Sequence, residues 1–159
     1  MPKREFDVEL SFAQVLREDD GHFVPASNTI SPPDVKGKGH LHFSDDFSSL
    51  HVKLEITGYL TGDQAVTLAH IHLDDATKTG PLTVELYPNP HAKVKSKKGK
   101  SLEIEIDVTN DLIIPRDNES NFATNSVASL YSAILGRNLY LDVHGDGDYL
   151  LGMIRGQIF

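Results

Sequence analysis

Apolar and polar residues alternate one for one along most of this chain. Phe6, Val8, Leu10 and Phe12 interleave with Asp7, Glu9 and Ser11, and Leu41 and Phe43 interleave with His40 and His42. The period recurs at Val52, Leu54 and Ile56 against His51, Lys53 and Glu55, and at Ala69, Ile71 and Leu73 against His70 and His72. It continues through Leu82, Val84 and Leu86, then Leu102, Ile104, Ile106 and Val108, and closes with Asn138–His144 and Met153–Ile158. Successive side chains of a strand point to opposite faces, so each run predicts a strand with one apolar face. Eight short strands separated by Gly-, Pro- and Asn-rich turns predict an all-β fold, an antiparallel Greek-key sandwich or barrel. The Pro-, Ser- and Asn-rich stretch Asp19–Asp34 reads as a loop, and Arg116–Asn121 as an exposed one.

One segment departs from this rhythm. Val127, Leu130, Ile134 and Leu135 recur at helical spacing between Ser126 and Gly136. They predict a short helix over 126–136, begun by Asn125 or Ser126 and ended by Gly136, that plugs one end of the sandwich. No repeat or linker marks a second domain, so 1–159 reads as one domain, large enough to bury its own core.

Composition narrows the chemistry. The chain has no cysteine, which removes thiolate zinc sites, iron–sulfur clusters and disulfides. A net charge of −8 argues against nucleic acid as a partner. The lysine run Lys93, Lys95, Lys97, Lys98 and Lys100 has no interleaved aromatic residue and reads as a solvated hairpin tip rather than a phosphate or membrane patch. No apolar run reaches the roughly 18 residues of a membrane span. The start, Met1–Asp7, lacks the apolar stretch of a signal peptide.

Candidate chemistry comes from the histidines. His70 and His72 stand at i and i+2 of one strand and therefore share a face, about 6.6 Å apart along the chain. Two imidazoles at that spacing can lean onto one metal ion. His144 ends a second strand whose Leu141 and Val143 turn inward, so all three histidines face outward and predict a surface-facing metal site. On spacing alone, a pair of ordinary surface histidines is the competing reading. Asp142 shares the face of His144 and is the first candidate to accept a ring N–H and fix its tautomer, ahead of Asp74 and Asp146. The second pair, His40 and His42, belongs to the opposite sheet and reads as surface residues, as do His22 and His51. His91 is the candidate for a fourth ligand. The acidic run Asp142–Asp148 lacks the helices and closing glutamate of an EF-hand. No phosphate loop or nucleophile elbow is present.

At these residues the chain resembles a known family. Ala69-His70-Ile71-His72 and Thr79-Gly80-Pro81-Leu82-Thr83-Val84-Glu85-Leu86 resemble the first half of the CHRD (chordin-type) domain signature. Leu130–Gly136, then Leu139-Tyr140-Leu141-Asp142-Val143-His144 and Gly152-Met153-Ile154-Arg155-Gly156-Gln157-Ile158, resemble its second half. The resemblance spans Gly37–Phe159. The CHRD domain is in turn similar to copper/zinc superoxide dismutase, an eight-stranded Greek-key sandwich. The resemblance implies copper on His70, His72 and His144, with zinc possible in its place, a copper-only centre acting on superoxide, and an extracellular or periplasmic location. Arg155, which by alternation shares a face with Met153 and Gln157 on the strand after His144, is a candidate anion-guiding catalytic residue, although the guiding arginine of dismutases stands at a position that does not align with it; a structural salt bridge is the other reading.

Departures from the dismutase pattern are equally plain. Only Asp74–Gly80 follows the histidine pair, without a histidine to bridge to a zinc site, and Gly145–Leu151 is short and acidic, which repels superoxide. Three neutral imidazoles suit copper and, nearly as well, zinc, and only copper has a second accessible oxidation state. The alternatives to an oxidoreductase are a copper carrier and a non-catalytic CHRD-type binding or structural module. The sequence leaves the oligomeric state open.

Overall fold

The alternating runs become strands because each can bury one face and leave the other to water. The structure, a computed structural model, describes residues 1–117 and 123–159; part of the stretch expected to be an exposed loop, residues 118–121, lies outside them. In chain order the elements are β1 (Glu5–Leu10), β2 (Leu16–Asp19), β3 (His22–Pro25), β4 (Val35–Phe43), β5 (Ser49–Gly58), β6 (Leu68–Leu73) and β7 (Leu82–Tyr87). There follow β8 (Lys93–Lys97), β9 (Ser101–Thr109), β10 (Arg116–Asp117), β11 (Ala123–Thr124), α1 (Val127–Leu135), β12 (Leu139–His144) and β13 (Ile154–Gln157).

Two antiparallel sheets form the sandwich, one ordered β1-β4-β5-β9-β8 and the other β13-β12-β6-β7. The eight predicted strands are β1, β4, β5, β6, β7, β9, β12 and β13. The chain crosses between sheets so that β9 lies beside β5 and β12 beside β6, the non-sequential pairing of a Greek key. The sandwich is open rather than a closed barrel. Where β1 and β13 meet, the described residues share one isolated bridge, Ser11 with Arg155, in place of a ladder.

Inward residues of both sheets make one core, including Leu41, Phe43, Ile56, Ile71, Leu141 and Ile154. Two inward positions on β4 are glycines, and the opposite sheet fills the space that side chains would take. A Cβ on Gly37 would lie 2.8 Å from Ile154 Cδ1, and one on Gly39 would lie 2.6 Å from Leu141 Cδ1. Helix α1 closes one end, with Tyr131 packed on Phe43 and Phe47 at ring separations of 5.3 and 4.5 Å.

One local expectation changes and two gain detail. The stretch Asp19–Asp34 is not all loop, because β2 and β3 form a hairpin that turns through Asp20 and Gly21 at φ 49° and 77°. Two consecutive left-handed residues make the turn whose twist suits a hairpin, and Asp-Gly is a favoured pair for it. The lysine run is an exposed edge strand, β8, with Lys93 and Lys95 opposite Glu105 and Glu103. Charged edges of this kind discourage further strand addition. Helix α1 starts at Ser126, which exchanges hydrogen bonds with Ser129 in a capping box. At its end Gly136 has an ordinary φ of −84°, and Arg137 takes the left-handed position at 57°. The bonds Arg137 N–H to Ile134 O and Asn138 N–H to Ala133 O, 2.9 and 2.8 Å, are those of a Schellman motif.

The fourth and seventh predicted strands pair directly. In the β6–β12 ladder, His70 stands opposite Asp142 and His72 opposite Tyr140, all on the face turned away from the core.

Candidate metal centre

Strand pairing alone brings the three histidines together. The His70 ring lies 5.4 Å from His72 and 5.3 Å from His144, and His72 lies 6.4 Å from His144, centroid to centroid. The carboxylate of Asp142 sits among all three. Its Oδ2 is 2.8 Å from His144 Nε2, and its Oδ1 is 3.2 Å from His72 Nε2 and 3.8 Å from His70 Nδ1. One donor atom from each of the four residues falls within 4.8 Å of the others. Asp142 was expected to support a ring from behind; its carboxylate stands in the midst of the rings instead.

The tautomers follow from the hydrogen bonds. A backbone carbonyl only accepts, so His72 Nδ1 is protonated where it donates to Gly80 O at 2.8 Å. His144 Nδ1 likewise donates to Leu150 O at 2.9 Å. In the neutral rings both Nε2 lone pairs are therefore turned to Asp142, where there is no proton to receive. His70 Nδ1, His72 Nε2 and Asp142 Oδ1 are buried without a hydrogen-bond partner, although His72 and Asp142 approach to 3.2 Å. Each orphaned buried polar atom costs about 1–3 kcal/mol. Three of them converging on one point are what a cation would satisfy.

Electrostatics agree with that reading. Burial pushes the His70 imidazole down to about 4, with the charge of Asp142 opposing, so at neutral pH it is an unprotonated donor. Burial alone would raise Asp142, but the hydrogen bond from His144 and the close approach of His72 and His144 outweigh it and hold the carboxyl well below the carboxylate range. Burial would lower His144, yet the bond to Asp142, the charge behind it and the Leu150 carbonyl leave it above an ordinary histidine.

A shell of further residues fixes the rings. Tyr140 stacks on His72 at 5.1 Å and 6°, and its phenol oxygen accepts the Gly80 N–H at 3.0 Å, so one residue, through its N–H and its carbonyl, ties both rings. Burial pushes that phenol up to about 12. Gly80 must be glycine, since a Cβ there would stand 1.9 Å from Leu73 O. Arg155 is buried; it donates to Lys78 O at 2.7 Å and Asp75 O at 2.8 Å, and its guanidinium lies 3.5 Å from the Tyr140 ring centre. These contacts make it a brace between β13 and the loop after β6. On the other flank, Arg17 of β2 donates to Asp148 O, Leu151 O and Gly152 O.

These loops and the β2–β3 hairpin correct one expectation. The centre faces away from the core but is largely covered: His70 is only 8 % exposed, Asp142 is buried, and His72 and His144 are half-buried. Beside Asp142, among Leu16, Thr79, Tyr140, Leu151 and Arg155, a cavity of about 20 Å³ has room for one water. A wider cleft of about 480 Å³ lies on the far side of the loop after β6, against Phe23, Asp74, Thr79, Gly80 and Pro81, and others of about 330 and 670 Å³ lie on the outer face of the other sheet.

The remaining candidates sit elsewhere. His40 and His42 are on the opposite sheet beside Asp7 and Glu5, at 2.7 and 4.0 Å. His51 does have partners, Asp107 at 2.7 Å and Glu105 at 3.8 Å. His22 is exposed on β3. His91 lies near Asp111 and is outside the four-residue group. The Asp74 side chain binds its neighbour's N–H, and Asp146 is exposed ahead of the turn Gly147–Tyr149. Tyr140 is absent from the sequence expectations, although its alternation with Asp142 and His144 places it on their face. Arg17 was not legible, because its role depends on where a distant hairpin docks.

A CHRD domain family model matches residues 7–158 of the chain. No curated protein and no solved structure gives a match.

Proposed function

The chain belongs to the CHRD domain family, and from that premise we propose that it is a copper-binding module whose ion is held by His70 Nδ1, His72 Nε2 and His144 Nε2. The observation that carries this reading is the convergence of orphaned buried donors on the Asp142 carboxylate. Three imidazoles and a carboxylate suit divalent copper or zinc, and the order of stabilities favours copper on the same nitrogens. Bound copper supplies a one-electron couple, the chemistry that superoxide dismutation needs. The protein's own part is to hold two rings as Nδ1–H tautomers, to keep His70 unprotonated by burial, and to place a negative charge beside a cation.

A specific feature favours binding without turnover as the second reading. Asp142 stands where it can act as a fourth donor, and a site with four protein donors has no open position for a substrate. The one-water cavity beside it leaves little more room. As a carrier or a structural module, the protein would use the same four residues with the fourth position closed.

Copper titration with a competing chelator tests the proposal. One equivalent of Cu(II) should bind, at least tenfold more weakly in His70→Ala. A superoxide assay on copper-loaded protein then separates the readings. Activity that disappears in His144→Ala supports the redox centre, whereas tight binding without activity supports the carrier or module. Absence of stoichiometric binding, or unaltered affinity in His70→Ala, overturns the metal site.

A further inference from the structure

His72 and His144 owe their orientation to carbonyls in two loops, and an arginine from a third strand grips each loop. Gly80 O, which accepts the His72 Nδ1–H, belongs to the loop whose Lys78 and Asp75 carbonyls bind Arg155. Leu150 O, which accepts the His144 Nδ1–H, lies between the Asp148 carbonyl and the Leu151 and Gly152 carbonyls that bind Arg17, at 3.1, 3.3 and 2.9 Å. Arg17 lies 127 positions before His144 in the chain and touches no proposed ligand. It reaches the loop only because β2 and β3 fold as a hairpin over that flank. Without it, three carbonyls of a loop carrying Asp146, Asp148 and two exposed leucines would have only water to hold them.

We propose that Arg17 is a positioning residue for His144: it clamps the loop 148–152 so that the Leu150 carbonyl fixes the ring with Nε2 turned to the shared point. The inference rests on the copper-site reading above. A planar guanidinium suits this task because its fork spans several acceptors, whereas a lysine ammonium is a single compact charge. Partners one step behind a metal ligand commonly set affinity by 10–100-fold; Leu150 O holds that place for His144, and Arg17, one step further back, acts at the low end of the range.

The experiment compares unaltered protein, Arg17→Ala and Arg17→Lys, with Arg4→Ala, whose arginine pairs with Asp45, as an arginine control remote from the site. Three quantities are read: Cu(II) affinity by chelator competition, the Cu(II) electron paramagnetic resonance spectrum, and the His144 Nδ1–H proton signal in the metal-free protein. Arg17→Ala should bind copper about tenfold or more weakly, with an altered Cu(II) spectrum and a His144 Nδ1–H that exchanges too fast to observe. Arg4→Ala should match the unaltered protein. If Arg17→Ala does not fold, Arg17→Lys decides, and the same changes in reduced degree are expected there. Affinity, spectrum and proton signal all unchanged in a folded Arg17 variant would overturn the positioning role while leaving the copper site standing. Failure of the unaltered protein to bind copper would overturn both.

Discussion

The decisive residue is Asp142. Around it the metal-free protein holds two arrangements in tension, because its carboxylate wants protons from the rings while the loop carbonyls have already fixed those protons on the far nitrogens. His144 resolves this by charging, since both of its nitrogens then donate, to Leu150 O and to Asp142. Its folded value lies above the unfolded one. The pair therefore stabilises the metal-free protein fully below the ordinary histidine value of about 6.5, and the contribution is lost as pH climbs through the raised value. The depressed value of Asp142 works in the opposite sense, present above the ordinary carboxylate range and lost as pH falls through the depressed one. Urea unfolding midpoints in the presence of a chelator should thus fall as pH rises above about 6.5 in the unaltered protein. Asp142→Asn should flatten that fall and lower the His144 titration seen by proton resonance. A midpoint profile identical in the two proteins would show that the carboxylate does not govern the ring.

At the level of elements, alternation did most of the predicting because burial of one face is what makes a strand. Ala69, Ile71 and Leu73, with Leu139, Leu141 and Val143, could be assigned inward from spacing alone, and that fixed the outward histidines. The β2–β3 hairpin escaped because its few apolar residues, Leu16, Phe23 and Val24, do not alternate with polar ones, and only Asp20-Gly21 marked it. Enclosure of the site escaped for the same reason, since the covering comes from that hairpin and two loops. The close approach of the sheets was equally silent in sequence, where Gly37 and Gly39 look like strand breakers rather than contact points. It is testable: Gly39→Ala puts a methyl group 2.6 Å from Leu141 Cδ1, inside the core between two ordered sheets. Overpacking of this kind costs about 1–3 kcal/mol. The denaturation midpoint should fall by the corresponding amount, and an unchanged midpoint would mean that the sheets can part without penalty.

Across the whole molecule, the proposed ligands join strands that are adjacent in space but distant in sequence. His72 and His144 are 72 positions apart, and the loops that orient them are gripped from β2 near the N-terminus and β13 near the C-terminus. A metal bound there fastens β6 to β12 and satisfies atoms that are otherwise buried and unpartnered. The unfolded chain offers no such preformed site, so binding free energy becomes folding free energy. At a free metal concentration 100 times the dissociation constant, the gain is about 2.7 kcal/mol. In a domain of this size that corresponds to a rise in Tm of roughly 5–10 °C. Calorimetry with and without Cu(II) or Zn(II) should show the rise, and a chelator should reverse it. His144→Ala should abolish it. His40→Ala and His42→Ala, on the outer face of the other sheet, should leave it intact. Loss of the rise in those two variants, or its persistence without His144, would move the metal away from the β6–β12 face.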